Sequence, residues 1–206
     1  MYKCVIFDVD GTMIDTVDVV FATYRKVYSD EFNKELSPED LMAAFRVPTL
    51  MAMEYLGFKD PVDAEDKFHR QLMKEFCNVR PFEGIKLVLE KLENRGVVTG
   101  IVTSRARKEV ENDACLQGLV KGFKYIVCED DAEKHKPDPA PLQKLMELSG
   151  IKATDMLYIG DTRNDFLCAK AAGVDFALAL WGAETAEGIN GKYQFKKPEE
   201  LLELYI

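Results

Sequence analysis

Histidine and tryptophan are scarce in this 206-residue chain, with two of the first and one of the second, and its five cysteines include no C-x-x-C pair. A zinc centre built from clustered Cys and His is therefore excluded: His69 and His135 are far apart and no thiols lie together. Cys4, Cys77, Cys115, Cys128 and Cys168 are odd in number and widely spread, which predicts reduced, mostly buried thiols. No run approaches the roughly 18 apolar residues of a membrane span. The opening MYKCVIFDVD carries no long apolar segment with a small-residue cleavage site, so the expected location is cytoplasmic. Basic residues are also short, 27 against 36 acidic, for a net charge of −9. That balance argues against nucleic acid or an anionic membrane as a partner, and it should repel a small anionic substrate as well. Repeats and low-complexity tracts are missing too, and nothing in the sequence speaks to oligomeric state.

What is present is material for a core: 47% hydrophobic and 31% charged residues, with 13 Gly and 8 Pro. The length corresponds to roughly 1.4 average domains, which suits one domain carrying an insertion. Cys4 to Phe7 is a short apolar run stopped by Asp8-Val9-Asp10-Gly11-Thr12, a buried strand entering a tight loop. From Thr16 to Arg80 the apolar spacing is helical throughout, with Ser37 as an N-cap before Pro38. After Pro81, helices and β-branched runs alternate. Helical faces near Ile85 to Leu92, Lys108 to Gln117, Leu142 to Leu148 and Asp165 to Ala172 separate strands at Val97 to Thr103, Tyr125 to Cys128, Met156 to Gly160 and Phe176 to Leu180. Such alternation predicts an α/β fold, a Rossmann-like doubly wound parallel sheet core with an inserted α-helical cap. The expected core is residues 1–14 and 81–206, the expected cap 15–80.

Ligands of open α/β sheets bind beyond the carboxyl ends of the strands. Asp8 and Asp10, Thr103 and Ser104, Lys136, and Asp161 and Asp165 all follow strands at that edge. Close carboxylates need a cation or a shared proton, and hard oxygen donors favour Mg²⁺. Lys136, framed by Pro137, Pro139 and Pro141, offers a point charge suited to phosphate. Thr103 and Ser104 end a strand and precede a helix, so their hydroxyls and backbone N–H groups would form an anion cradle at the helix N-terminus, with Ser104 also a candidate N-cap. Gly160 is expected to let the backbone turn before Asp161. The charge runs EDDAEK and KPEE read as solvated faces, Lys136 apart.

These motifs, Val5-Ile6-Phe7-Asp8-Val9-Asp10-Gly11-Thr12, Ile101-Val102-Thr103-Ser104, Lys136-Pro137-Asp138-Pro139 and Gly160-Asp161-Thr162-Arg163-Asn164-Asp165, resemble the haloacid dehalogenase superfamily in order and spacing along the whole chain. The branch resembled is the phosphoglycolate phosphatase-like one with a helical cap. The resemblance implies Asp8 as nucleophile forming an aspartyl-phosphate, and Asp10 as general acid and then base. It implies Thr103 and Lys136 as phosphoryl-binding groups, and Mg²⁺ held by Asp8, the Asp10 carbonyl and Asp161, with Asp165 acting directly or through water. Gly11, Thr12 and Ser104 would line the phosphoryl site, under a mobile cap whose hinges are Ile14 to Val17 and Arg80 to Gly84. The dehalogenase branch does without the second Asp, and Asp10 is present.

In the cap, Phe45-Arg46-Val47-Pro48-Thr49 stands where relatives carry Gly-x-Pro. Arg46 is thus either a cation for a second anionic group on the substrate or a solvated helix-end residue. His69 and the segment Leu50 to Tyr55 read as cap packing, and Trp181-Gly182 as a sheet-edge seal or a family feature. The expected activity is Mg²⁺-dependent hydrolysis of a small phosphorylated metabolite. The alternatives are an inorganic pyrophosphatase, a β-phosphoglucomutase-like sugar phosphomutase, or a non-catalytic regulatory module.

Overall fold

The protein is described from a computed structural model covering residues 1–47, 49–75 and 79–205. Pro48 and Cys77 lie outside the described residues. Two compact units emerge, Met1–Asp15 with Arg80–Ile206, and Thr16–Val79.

Strand β1 (Cys4–Phe7) is wholly buried, as expected of a strand whose every residue is apolar. It is followed by β2 (Ile14–Asp15), which pairs antiparallel with β3 (Arg80–Pro81), so the two chain crossings are tied side by side in a ribbon. The sequence hides this ribbon because two residues cannot show a period. Beyond β3 come α5 (Ile85–Asn94), β4 (Val98–Val102), α6 (Arg107–Asn112), α7 (Ala114–Val120), β5 (Tyr125–Val127), α8 (Ala140–Ser149), β6 (Met156–Gly160), α9 (Arg163–Ala172), β7 (Asp175–Ala179) and β8 (Tyr193–Phe195). A 3-10 helix spans Pro198–Tyr205. The six long-range strands run parallel in the order β5-β4-β1-β6-β7-β8, with Phe7 registered between Ile101 and Ile159. This is the doubly wound sheet. Its connections turn one way from β1 and the other way from β6, which makes the β1/β6 boundary the switch point where α/β folds bind ligands.

One face of the sheet packs Cys4, Ile6, Tyr158 and Phe176 against Leu142 and Leu145 of α8, with α9 alongside. The helix expected over Lys108 to Gln117 is two helices. Asp113 breaks it, its side chain accepting from the Leu116 N–H at 2.9 Å and capping α7. β8 was not expected; three residues with an exposed Gln194 in the middle are too short to stand out.

The second unit comprises α1 (Val17–Phe32), α2 (Pro38–Phe45), α3 (Thr49–Tyr55) and α4 (Pro61–Glu75). Ser37 caps α2 by accepting from the Asp40 N–H at 3.1 Å, with Pro38 at the first position. Tyr24, Leu41, Met53, Phe58 and Phe68 form its core, the Tyr24 and Phe68 rings 4.5 Å apart. Packing does not account for all of the Leu50 to Tyr55 segment: Ala52 and Met53 are buried, whereas Leu50, Met51 and Tyr55 are exposed. His69 touches Phe68 by its edge but is otherwise mostly exposed.

Among the described residues no helix is long and apolar enough to cross a membrane. Cys4, Cys115, Cys128 and Cys168 are free thiols, three of them buried. Burial pushes Cys4 and Cys168 up to about 12, so neither is a nucleophile at neutral pH.

Candidate active site

The carboxyl ends of β1, β4, β5 and β6 are adjacent in the sheet, and each supplies polar groups. Ladder hydrogen bonds run one residue past the strands, from Asp8 N–H to the Ile159 carbonyl at 2.9 Å and from Thr103 N–H to the Val127 carbonyl at 3.1 Å. The backbone carrying both candidate groups is therefore fixed by the sheet.

Asp8, Asp161 and Asp165 bring carboxylate oxygens within 4.8 Å of one another. Lys136 stands among them, donating to Asp8 Oδ1 at 2.8 Å, to Asp165 Oδ1 at 2.7 Å and to the Tyr158 hydroxyl at 3.2 Å. Its ammonium is almost fully enclosed, and although burial opposes the charge, Asp165 and Asp8 hold it firmly protonated. Burial pushes the Asp8 carboxyl up to about 7, with Lys136 pulling the other way. Burial, Asp8 and Asp165 push Asp161 well above the carboxylate range. Burial also disfavours the Asp165 charge, but Lys136, Thr162 and Tyr158 outweigh it and keep that carboxyl below its ordinary value. Three carboxylates against one ammonium leave an excess of two negative charges when all are ionised. That excess, presented on hard oxygens with Asp8 and Asp161 strained towards protonation, matches one hard divalent cation.

Both oxygens of Asp165 are already engaged. Oδ1 accepts from Lys136 and Tyr158, while Oδ2 accepts from the Thr162 N–H at 3.0 Å and from the Thr162 hydroxyl in a reciprocal capping box. Gly160, expected to turn the chain, is the last residue of β6, and its backbone is not left-handed. A Cβ there would lie 2.5 Å from Asp165 Cβ, so its bareness admits the first turn of α9.

Gly11 has φ +72, and a Cβ on it would lie 2.2 Å from Asp161 Oδ2; only glycine fits. Thr12 is buried, and its hydroxyl donates to Asp161 Oδ1 at 2.9 Å. Trp181 Nε1–H donates to the Thr12 carbonyl at 2.9 Å, and a Cβ on Gly182 would lie 1.7 Å from the Gly11 carbonyl oxygen. Trp181-Gly182 thus clamps the loop after β1 instead of sealing the sheet edge.

Asp10 stands apart from the cluster. Arg105 grips its carboxylate with two bonds, Nε to Oδ2 at 2.8 Å and Nη2 to Oδ1 at 2.6 Å. Thr103 is buried, and its hydroxyl accepts from the Arg105 N–H at 3.1 Å. Ser104 is exposed and caps nothing: α6 begins at Arg107 after Ala106. Two amides at the start of α6 are engaged within the protein, Ala106 N–H by Glu109 at 2.8 Å and Arg107 N–H by Asp130 at 2.9 Å. The run EDDAEK is likewise not a merely solvated face, because Asp130 and Asp131 anchor Arg107. Arg46 is the exposed C-cap residue of α2 in the second unit.

Sequence reasoning missed Arg105, Tyr158, Thr162 and the purpose of Trp181-Gly182. Thr162 was available as a Thr-x-x-Asp capping box, and Tyr158 as the one polar-tipped residue in an otherwise apolar buried strand.

Residues 5–179 match the family model described as haloacid dehalogenase-like hydrolase. A Bacillus mycoides protein named pyrophosphatase PpaX is 29% identical over 203 residues, covering 96% of this chain and 94% of its own. The crystal structure of a Lactobacillus plantarum protein provisionally named phosphoglycolate phosphatase superposes with a TM-score of 0.84 at 29% identity, over 99% of both chains. A Thermotoga maritima structure provisionally named β-phosphoglucomutase gives a TM-score of 0.85 over 98% of each chain; at 22% identity it speaks to the fold alone.

Proposed function

The chain belongs to the haloacid dehalogenase-like hydrolase family, and on that premise we propose that it is a Mg²⁺-dependent phosphatase acting on a small phosphorylated metabolite. The observation that carries this reading is the enclosed set of Asp8, Asp161, Asp165 and Lys136 at the switch point of the sheet. Asp8 and Asp161 would hold the cation, together with the Asp10 carbonyl. Asp165, its oxygens engaged by Lys136, Tyr158 and Thr162, would act on it only indirectly. Bound there, Mg²⁺ supplies the positive charge that lets an anionic phosphoryl group approach an anionic nucleophile.

An Asp8 carboxylate oxygen attacks phosphorus, forming a P–O bond as the ester P–O bond breaks, and the departing alkoxide takes a proton from Asp10. Water then attacks the aspartyl-phosphate and gives its proton to Asp10, and the bond to Asp8 breaks, releasing phosphate. Lys136 neutralises charge on the transferring group and Thr103 donates to it. Little covalent work falls to the protein, so positioning and charge neutralisation carry the rate.

A second reading, inorganic pyrophosphatase, is favoured by relatives such as the B. mycoides protein whose likeness runs nearly end to end. The reaction is the same with phosphate as leaving group. The test is hydrolysis of p-nitrophenyl phosphate, phosphoglycolate and pyrophosphate with Mg²⁺ or EDTA. Turnover abolished by EDTA and by Asp8→Asn is expected; turnover surviving either refutes the scheme, and the ratio of kcat/KM for the last two substrates decides between the readings.

A further inference from the structure

Within the carboxyl edge, Lys136 ties Asp8 to Asp165 and Thr12 donates to Asp161, but none of these bonds reaches Asp10. Among the described residues, every hydrogen bond to the Asp10 carboxylate comes from Arg105. The Asp10 side chain is 40% exposed, so without a partner it would sample several rotamers; the Arg105 side chain is 7% exposed and cannot follow it. Arg105 is itself fixed at both ends. Its N–H donates to the Thr103 hydroxyl at 3.1 Å, its carbonyl accepts from the Glu129 N–H at 2.9 Å, and Nη1 donates to Asp113 Oδ2 at 2.6 Å. Asp113 is 1% exposed and its other oxygen caps α7, so the fork is anchored to a helix end. A planar guanidinium in a two-bond grip sets the plane and the direction of a carboxylate, which a single bond does not.

We infer that Arg105 is a positioning residue for proton transfer by Asp10, holding that carboxylate by a rigid fork anchored on Asp113 so that it meets the leaving oxygen and then the attacking water in one orientation. The inference rests on the reading of Asp10 as the acid–base group. Proton donation matters in proportion to how poorly a leaving group bears negative charge. A defect transmitted through Asp10 is therefore large for phenyl phosphate and small for p-nitrophenyl phosphate, two esters of nearly the same shape.

The experiment measures kcat/KM for both esters with Mg²⁺ in wild type, Asp10→Asn, Arg105→Gln, Arg105→Lys and the double variant Asp10→Asn/Arg105→Gln. Arg105→Gln is expected to lower phenyl phosphate hydrolysis about tenfold or more and p-nitrophenyl phosphate hydrolysis less than about threefold. Arg105→Lys, which keeps the charge opposite Asp113 without the fork, should show a smaller shift of the same ratio. In the Asp10→Asn background, replacing Arg105 should leave the ratio unchanged within about twofold. Equal losses on both esters, or a ratio shift that persists without Asp10, overturn the inference while the acid–base reading stands. An unchanged ratio in Asp10→Asn itself overturns that reading and the inference with it. Should Arg105→Gln fail to fold, with the buried Asp113 charge left without its cation, an unaltered ratio in folded Arg105→Lys overturns the inference as decisively.

Discussion

At Asp8 function and stability pull against each other. Its ordinary value is 3.8 and burial lifts it to about 7, so in the metal-free protein the fold favours the protonated carboxyl. Its contribution to stability is full below 3.8 and is lost as pH rises to about 7, because over that interval the folded state holds a proton the unfolded chain has released. Near 1.4 kcal/mol for each unit of pH, the loss is under about 2 kcal/mol at pH 5 and about 4 kcal/mol at pH 8. Asp8→Asn has no charge to lose and still offers Lys136 an acceptor. In EDTA it should therefore be more stable than wild type by a margin that widens from pH 5 to pH 8, while being catalytically dead. Urea unfolding followed by the fluorescence of Trp181, the only tryptophan and a residue seated beside the site, reads this directly. Saturating Mg²⁺ at pH 8 should close most of the gap by binding wild type preferentially, about 2.7 kcal/mol at a hundredfold excess over Kd. A margin that is constant with pH, or that widens towards acid, would refute the reasoning.

Gly182→Ala places a methyl against the Gly11 carbonyl and should cost at least about 2 kcal/mol with a marked loss of activity, whereas Gly188→Ala, with open space around it, should cost about 1 kcal/mol and leave turnover intact; urea midpoints and kcat for the pair check this. Thr12→Val removes the bond to Asp161 and should raise the Mg²⁺ concentration for half-maximal activity about tenfold with little change in melting temperature. Burial acts to raise Asp175, but bonds from Lys192 and Tyr2 hold its carboxyl below the ordinary value, so it stabilises the fold above that value and the benefit fades as pH falls through the lowered one. Asp175→Asn should accordingly narrow the stability difference between pH 6 and pH 3; at this part-exposed site the change is under about 1 kcal/mol, and an unaltered pH profile by calorimetry would count against it.

The sheet was readable because its longer strands are apolar or β-branched runs between turn residues, and their alternation with helices implies that they run parallel. Three of the four motifs were readable for a related reason: Asp8, Thr103 and Asp161 each stand one residue past a strand end, where position in the sequence implies position in space, while Lys136 lies in the longer loop after β5 and was marked by its frame of prolines. Arg105 was not readable, since nothing local distinguishes it from Arg107, three bonds' worth of partners for the first being 95 residues upstream and 8 downstream. Trp181 was singled out, but its clamp on the loop after β1 was hidden for the same cause, its carbonyl partner lying 169 residues away. The break at Asp113 could have been found, because an aspartate three residues before an apolar helical run is a cap signal, but the apolar spacing across it was regular enough to suggest continuity. The β2 and β3 ribbon is too short for any pattern.

The central place of β1 in the sheet has a consequence for how the molecule comes into being. Strand β1 is made before both of the strands that flank it, one starting at Val98 and the other at Met156. Synthesis therefore delivers the loop after β1 before its partners, and that loop waits for Asp161, Trp181 and Gly182 before it is shaped. Pairings of such long range are slow to form and favour intermediates. A nascent or truncated chain should carry the early motifs without any turnover, and the appearance of activity during refolding should mark the docking of β6 and β7, the last event and not the first.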